Sequence, residues 1–183
     1  MDATAYLAWE REQTERHEYL HGEVFAMSGG SPRHAALIAA VTVELGNAHR
    51  GKPCRVLATD QRIAARDGEH YVYADASVVC GKMLLAAGTN DVLANPTIVV
   101  EVLSKSTEGY DRGAKWDGYQ HIASVTDYVL VSQRAIVVEH FQRQAAGDWR
   151  YHRVEAGGRV ELSSGAALAV DDIYQGVFDL EGE

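Results

Sequence analysis

The spacing of hydrophobic and polar positions predicts helices separated by groups of short strands. The clearest helix is expected at residues 32–49, where apolar residues recur at helical spacing behind Ser31 as N-cap and Pro32 as the first helical residue. Two further helices are predicted at residues 3–16 and 108–123. Strands are predicted at residues 18–20, 23–27, 55–66, 70–80, 97–103, 127–132, 136–142, 149–155 and 159–162. This order predicts a mixed α/β or α+β domain whose central sheet is flanked by helices.

The composition is that of a folded domain of ordinary size. The chain has 183 residues, of which 46% are hydrophobic and 23% charged, and both values argue against a disordered chain or a membrane protein. Residues 1–19 carry charges every few positions and lack the apolar core of a signal peptide. We therefore expect one domain over residues 1–183, located in the cytoplasm and without a membrane partner.

The two cysteines give no sign of a cysteine-based site. Cys54 and Cys80 lie far apart in the sequence and form no CxxC pair. This spacing predicts neither a disulfide framework nor a zinc site built from cysteine. We expect two reduced, buried thiols.

The charge balance argues against one class of nucleic-acid-binding protein. The chain has 17 basic and 26 acidic residues, a net charge of −9 at pH 7, whereas proteins that coat nucleic acid nonspecifically are usually basic. An enzyme that contacts nucleic acid through a small site is compatible with this charge. A stretch without basic residues near the end predicts a short, solvated acidic tail that contains Asp171, Asp172, Asp179, Glu181 and Glu183.

Two acidic residues interrupt apolar strands, and these are the first candidate site residues. Glu101 lies within Thr97–Leu103, and Asp75 lies within Tyr71–Val79. A carboxylate in such a run is costly unless a partner or a metal ion compensates it. Glu101 alone is equally compatible with a structural ion pair or an edge strand, and Asp75 with a turn or bulge. If the two strands pair, both carboxylates can converge on one Mg²⁺ ion.

A lysine follows on the next predicted helix. Asp111, Lys115 and Tyr119 share one helix face at a spacing of four residues. An ammonium group near a metal ion can orient the attacking water and stabilise the charge that develops on phosphate. The alternative is an ordinary Asp–Lys pair on the protein surface.

Seven segments in this order resemble the Uma family of restriction endonucleases, which has the PD-(D/E)xK nuclease-like fold. The segments are residues 19–24, 31–34, 74–79, 101–107, 110–115, 126–131 and 170–174. The Glu-Val-Leu-Ser sequence at 101–104 with the downstream Asp-x-x-x-Lys is the more specific part. The resemblance covers roughly residues 5–175 and implies a central mixed sheet flanked by helices, as in restriction endonucleases.

The resemblance also implies roles for individual residues. Asp75 matches the aspartate of the PD half-motif and Glu101 the second acid, so both are expected to bind Mg²⁺ or Mn²⁺, with the backbone carbonyl of Val102 as a further ligand. Glu23 and His34 match a recurrent glutamate and histidine that complete or support such a site. Glu23 is also compatible with a structural role in a tight turn, and His34 with a hydrogen-bonded core position.

The sequence departs from the general motif at two positions. Ala74 replaces the proline, whose role is only to preset the backbone, and Leu103 occupies the position of the motif lysine. A leucine cannot activate water, so the catalytic base is unassigned. Lys115 is the expected source of the amine, and Lys105 is the second candidate because it starts on the same strand face as Glu101.

These observations support two hypotheses about function. The first is a metal-dependent endonuclease that hydrolyses DNA phosphodiester bonds through Asp75, Glu101 and Lys115. By analogy with duplex-cutting enzymes, which need two sites, it is expected to be a homodimer. The second is a catalytically lapsed nuclease-fold module used for protein assembly or nucleic-acid binding, which Leu103 and the acidic charge favour. RNA hydrolysis ranks lower because the chain has no aromatic-basic ribonucleoprotein signature.

Overall fold

The computed structural model describes residues 1–27 and 29–180. The helices are α1 (Ala3–Glu10), α2 (Pro32–Ala48), α3 (Glu108–Tyr110), α4 (Trp116–Gln120) and α5 (Val170–Tyr174). A π-helical turn at Asp111–Lys115 joins α3 to α4. The strands are β1 (His17–Leu20), β2 (Glu23–Ala26), β3 (Cys54–Ala58), β4 (Arg62–Ala65), β5 (His70–Tyr73), β6 (Ala76–Cys80), β7 (Val92–Leu93), β8 (Ile98–Leu103), β9 (Asp127–Ser132), β10 (Val137–Arg143), β11 (Trp149–Glu155), β12 (Arg159–Glu161) and β13 (Ala167–Ala169).

Two sheets of unequal size organise these elements. A six-stranded mixed sheet has the order β11-β10-β9-β8-β6-β3, and a five-stranded sheet has the order β2-β1-β5-β4-β7. β12 and β13 pair with each other as a separate two-stranded sheet. Within the six-stranded sheet, β8 runs antiparallel to β6 and parallel to β9. All residues of β8 are buried, as the continuous apolar run predicted.

Hydrophobic clusters cover both faces of the six-stranded sheet. On one face, α2 packs against β8 and α5 packs against α2, and the cluster there contains Val100 and Val102. On the other face, the cluster contains Val99, Leu103 and Tyr119 of α4. Because side chains alternate along a strand, Glu101 points to the same face as Val99 and Leu103. The acid therefore lies beneath the helical segment that follows β8.

The helices follow the sequence pattern to different extents. The helix predicted at residues 32–49 spans 32–48, and Ser31 accepts a hydrogen bond from the His34 N–H as its N-cap. The helix predicted at 3–16 ends at Glu10. The segment predicted at 108–123 is helical over 108–120 but contains the π-helical turn. Such turns often mark functional positions, since they redirect side chains within a helix.

Two of the predicted long strands are each divided between the two sheets. The predicted strand 55–66 consists of β3 and β4, and the predicted strand 70–80 consists of β5 and β6. β4 pairs with β5 as the predicted hairpin, while β3 pairs with β6. The chain passes from one sheet to the other at Ala74-Asp75. Asp75 consequently occupies the junction between the sheets instead of a strand interior.

The prediction of two reduced thiols is wrong. Cys54 and Cys80 form a disulfide, because they are direct cross-strand partners on antiparallel β3 and β6, with a Cα–Cα distance of 4.0 Å. The sequence separation of 26 residues gave no indication of this register, since it depends on how two distant strands align.

The acidic stretch at the end of the chain is partly folded. Asp171 and Asp172 are exposed in the first turn of α5, where negative charge is favourable. The next residue, Ile173, is buried in the hydrophobic core. Glu181 and Glu183 lie outside the described residues. Within residues 1–27 and 29–180, no helix has the length and apolar character needed to cross a membrane.

Candidate active site

A cavity of about 430 Å³ opens where the two sheets meet. It is bounded by the β1–β2 hairpin, the start of α2, the Ala74-Asp75 junction, Glu101 on β8, and the segment from α3 to the π-helical turn. Its lining contains four acidic residues, which are Glu18, Asp75, Glu101 and Asp111. The cavity therefore collects the predicted carboxylates and two that the sequence did not single out as ligands.

Strand pairing brings Asp75 and Glu101 together. Ala76 pairs with Val100 across β6 and β8, so the residue before one lies beside the residue after the other. The Val102 N–H donates a hydrogen bond of 2.7 Å to Asp75 Oδ2. The Tyr119 hydroxyl donates one of 2.8 Å to Glu101 Oε1. The condition stated for a shared metal site, that the two strands pair, is met.

Lys115 lies in the middle of the acidic residues. Its Nζ is 3.1 Å from Glu18 Oε1, 3.2 Å from Glu101 Oε1 and 3.6 Å from Asp111 Oδ1. It also donates a hydrogen bond of 3.0 Å to the Tyr73 carbonyl. The Lys115 side chain is only 7% exposed, so the alternative of a surface Asp–Lys pair does not describe this residue.

Burial and mutual repulsion shift the pKa values of this group. Burial raises the pKa of Asp75 above its ordinary range, although the Val102 N–H and His34 oppose this. Burial likewise raises the pKa of Glu101 well above its usual value, because Lys115 compensates it only in part. Burial raises the pKa of Asp111, again against the pull of Lys115.

The lysine itself is stabilised as a cation. Burial alone would lower the pKa of Lys115, but Glu101, Glu18 and Asp111 hold it well above its ordinary value. One ammonium group is thus shared among several carboxylates. It therefore offsets only part of the rise in the pKa of Glu101, while its own pKa is also raised. The cluster has an excess of negative charge that only protons or a further cation can neutralise.

The chemistry of the donor set suits a hard divalent cation, although no three of these described carboxylates place ligand oxygens within 4.8 Å of one another. Asp111 Oδ1 is buried and accepts no hydrogen bond from the described part of the chain, although a buried acceptor without a partner is costly. Asp75 and Glu101 offer carboxylate oxygens to the same cavity. Oxygen ligands with uncompensated negative charge are what Mg²⁺ and Mn²⁺ require.

His34 and Val102 meet at the edge of the cavity. His34 Nε2 donates a hydrogen bond of 2.8 Å to the Val102 carbonyl and lies 3.8 Å from Asp75 Oδ2. His34 lines the cavity, so it is not a core histidine. The Val102 carbonyl keeps a second lone pair for a metal ion, but the histidine already occupies the first.

The structure does not bring Glu23 or Lys105 into the cavity. Glu23 is exposed at the start of β2, and Lys105 is exposed in the turn after β8. Glu18 takes the place expected for Glu23; it lies on the other strand of the hairpin, and its carboxylate also accepts a hydrogen bond of 2.9 Å from the Tyr73 N–H. Neither Glu23 nor Lys105 lines the cavity, so the supporting roles expected for them stay predictions.

Sequence reasoning missed Glu18 and assigned no role at the site to Asp111. β1 has only four residues, which is too short for alternation to show which strand of the hairpin faces the site. For Asp111 a signal existed, since it precedes Lys115 by one helical turn. That spacing predicted their contact and gave no indication of their burial.

Comparisons with known proteins identify relatives of this chain. Residues 3–171 match the model of the Uma2 family, described as "Putative restriction endonuclease". The uncharacterized protein slr1290 of Synechocystis is 36% identical over 173 residues, covering 94% of this chain and 90% of the relative. Protein sll1609 of the same organism is 28% identical over 153 residues, covering 81% and 84%.

A solved structure shows the same fold. The crystal structure of "a putative nuclease belonging to DUF820" from Anabaena variabilis superposes with a TM-score of 0.78, covering 97% of this chain and 99% of that chain at 16% sequence identity. At this identity the likeness concerns the fold alone. It confirms the predicted mixed sheet flanked by helices, and the family match confirms the resemblance stated from the sequence.

Proposed function

This chain belongs to the Uma2 family, and from that premise we propose that it is a divalent-metal-dependent endonuclease that hydrolyses DNA phosphodiester bonds. One observation supports the proposal above all others: four carboxylates line one cavity around a single buried ammonium group. In a structural ion pair the positive and negative charges balance, whereas this cluster has an excess of acid that suits a divalent cation, which in turn can bind a phosphate.

We assign metal binding to Asp75, Glu101 and Asp111, with the Val102 carbonyl as a further candidate. When bound, Mg²⁺ or Mn²⁺ would act as a Lewis acid on the scissile phosphate and lower the pKa of a coordinated water. The Val102 N–H and the Tyr119 hydroxyl orient the carboxylates of Asp75 and Glu101 by hydrogen bonds. Fixed orientation matters because Mg²⁺ tolerates little departure from octahedral geometry.

Lys115 supplies positive charge from the helix instead of from the motif position. Leu103, at the motif position, is buried in the hydrophobic cluster. It carries no charge and cannot compensate the acidic residues. Three neighbours already use the Lys115 ammonium, namely Tyr73, Glu18 and Glu101. With a cation bound at Glu101, the Lys115 ammonium would have an N–H available for a phosphate oxygen and would stabilise the charge that develops there.

Three further parts of the proposal come from analogy or from the sequence. DNA as the substrate follows from the family. The homodimer follows from the need for two sites in duplex cutting. The cytoplasmic location stays a prediction, and the disulfide is uncommon in that compartment.

Metal binding and cleavage test the proposal together. Isothermal titration calorimetry should detect Mg²⁺ or Mn²⁺ binding to the wild type, and plasmid and single-stranded DNA should be cleaved in the presence of the bound ion. Glu101→Ala should remove binding and lower cleavage at least about 100-fold, as loss of a central electrostatic group does. Glu12→Ala, at an exposed glutamate outside the cavity, is the matched control and should behave as the wild type.

The same experiment separates the proposal from its alternative. A catalytically lapsed module would bind its partner without metal-dependent cleavage. Metal binding that is unchanged in Glu101→Ala would overturn the nuclease function, and so would DNA cleavage that is unchanged in this variant.

A further inference from the structure

One wall of the cavity is apolar, in contrast to the acids opposite. Leu20, Phe25 and Ala26 of the β1–β2 hairpin, together with Met27 and Tyr110, line this wall. Phe25 is 43% exposed and Met27 37% exposed. Large apolar side chains left open beside a charged site are more typical of ligand contact than of folding, since folding gains little from a ring that stays in water.

The two aromatic rings of this wall contact each other. The ring centroids of Phe25 and Tyr110 are 6.5 Å apart, with an angle of 39° between their planes, which is the geometry of a tilted aromatic pair. A flat ring can therefore stack on the exposed part of Phe25, with Tyr110 supporting the Phe25 ring from its other side.

Contacts of Tyr110 fix the support beneath Phe25. The Tyr110 hydroxyl lies 2.8 Å from Nε2 of the buried His70. Phe25 lies on β2, the edge strand of the five-stranded sheet, which pairs with β1. The part of the Phe25 ring that Tyr110 leaves uncovered is therefore available to a ligand in the cavity.

The charge of the cavity excludes the usual way of holding nucleic acid. Among its described lining residues, Lys115 is the one side chain with a permanent positive charge, and carboxylates already surround it. Proteins that bind duplex DNA along its backbone rely on several lysines and arginines at the phosphates. Here most of the affinity has to come from uncharged contacts, and stacking of a base on an aromatic ring is the strongest of these.

Resting on the nuclease function proposed above, we propose that this cavity takes one unpaired nucleotide, whose base stacks on Phe25 beside Tyr110 while its phosphate lies at the metal site proposed at Asp75 and Glu101. The substrate class is then single-stranded or locally unpaired DNA. A base within an intact duplex is covered on both faces by its neighbours and cannot stack on Phe25. A volume of about 430 Å³ falls in the range of pockets for one small ligand. Cleavage of one unpaired strand needs a single site, so this inference does not depend on a dimer.

Three oligonucleotides of one sequence test the substrate class. They are a fully paired duplex, the same duplex with one unpaired thymidine, and the single strand. Cleavage is measured as kcat/KM with Mg²⁺ or Mn²⁺, and binding by fluorescence anisotropy. The wild type should prefer both unpaired substrates by about 10-fold, which corresponds to one base stack.

Variants at Phe25 connect the preference to the aromatic wall. Phe25→Ala should lose about 10-fold on the unpaired substrates, and Phe25→Trp should keep the preference for these substrates because it keeps a stacking face. Tyr151→Ala is the matched control, since Tyr151 is an exposed aromatic residue on β11, outside the cavity. Replacing the unpaired thymidine by an abasic nucleotide should weaken the wild type but not Phe25→Ala, which a merely structural role for Phe25 would not produce.

The outcomes separate the two proposals. Equal cleavage of paired and unpaired substrates, or an abasic effect that persists in Phe25→Ala, overturns the unpaired-nucleotide inference and leaves the nuclease function intact. Absence of metal-dependent cleavage on every substrate overturns the nuclease function. In that case the anisotropy measurement decides the inference. If no Phe25-dependent preference for unpaired oligonucleotides is found, the inference is overturned as well, and if the preference is found, it supports a base-binding cavity.

Discussion

Replacing Lys115 by methionine removes the positive charge from the centre of the acidic cluster while keeping an unbranched side chain of similar length. Three carboxylate oxygens lie between 3.1 and 3.6 Å from its Nζ. At an effective dielectric constant of 20, each such pair attracts by about 5 kcal/mol. Burying the ions costs several kcal/mol each, so the gross attraction is largely offset in the wild type.

The variant keeps the burial cost of the acids without the compensating attraction. Breaking a buried ion pair from one side typically costs about 3–5 kcal/mol, and we expect Lys115→Met to lower the free energy of unfolding by about this amount at pH 8. The remaining carboxylates limit the loss by binding protons, since their pKa values rise further without the ammonium group nearby.

The pH dependence follows from the same reasoning. Burial already raises the pKa values of Asp75, Glu101 and Asp111 in the folded state, so between their ordinary and raised values the native state holds more protons than the unfolded chain. Stability therefore falls as the pH rises through this window. Each additional proton retained by the variant steepens the fall by about 1.4 kcal/mol per pH unit. The deficit of Lys115→Met should consequently shrink between pH 8 and pH 5.

Urea denaturation at pH 5 and pH 8, in the absence of divalent ions, measures these differences. Lys105→Met is the matched control, because Lys105 is an exposed lysine outside the cavity and its loss should change stability by less than about 0.5 kcal/mol. The reasoning is refuted if the two variants lose equal stability. It is also refuted if the deficit of Lys115→Met is the same at both pH values.

Three other predictions concern the metal, the disulfide and helix packing. Metal affinity should rise from pH 5 to pH 8, because protons compete with the metal for carboxylates with raised pKa values, and calorimetry that finds a pH-independent affinity would contradict this. Asp75→Asn should weaken metal affinity at least about 10-fold. Reduction of the disulfide should lower the free energy of unfolding by about 3.5 kcal/mol, the chain-entropy value for a loop of this size. An unchanged urea midpoint after reduction would contradict this. Gly118→Ala should destabilise by about 1–3 kcal/mol in urea denaturation, since its Cβ would lie 2.5 Å from Nδ1 of buried His70. A Cβ added at Gly113 would meet no atom within 4 Å, so Gly113→Ala is the control and should be tolerated; equal losses for the two variants would contradict this.

Local sequence determined the elements whose signals are short-range. Ser31 accepts a hydrogen bond from a backbone N–H at the start of the helix, and Pro32 has no N–H that would need a partner there. The beginning of α2 could therefore be predicted to the residue. The apolar run around Glu101 predicted a strand buried on both faces, and β8 is one. The candidate residues Asp75, Glu101 and Lys115 also followed from sequence, because charged groups stand out in apolar runs and at helical spacing.

Only the tertiary structure decided which of these groups meet. It placed Glu18 in the cavity and left Glu23 outside, and it joined Cys54 to Cys80. It also buried Lys115 among acids instead of leaving it on the surface. The physical reason is the same in each case. Periodicity records the face on which a side chain lies, whereas strand register and the packing of distant segments determine what lies opposite that face.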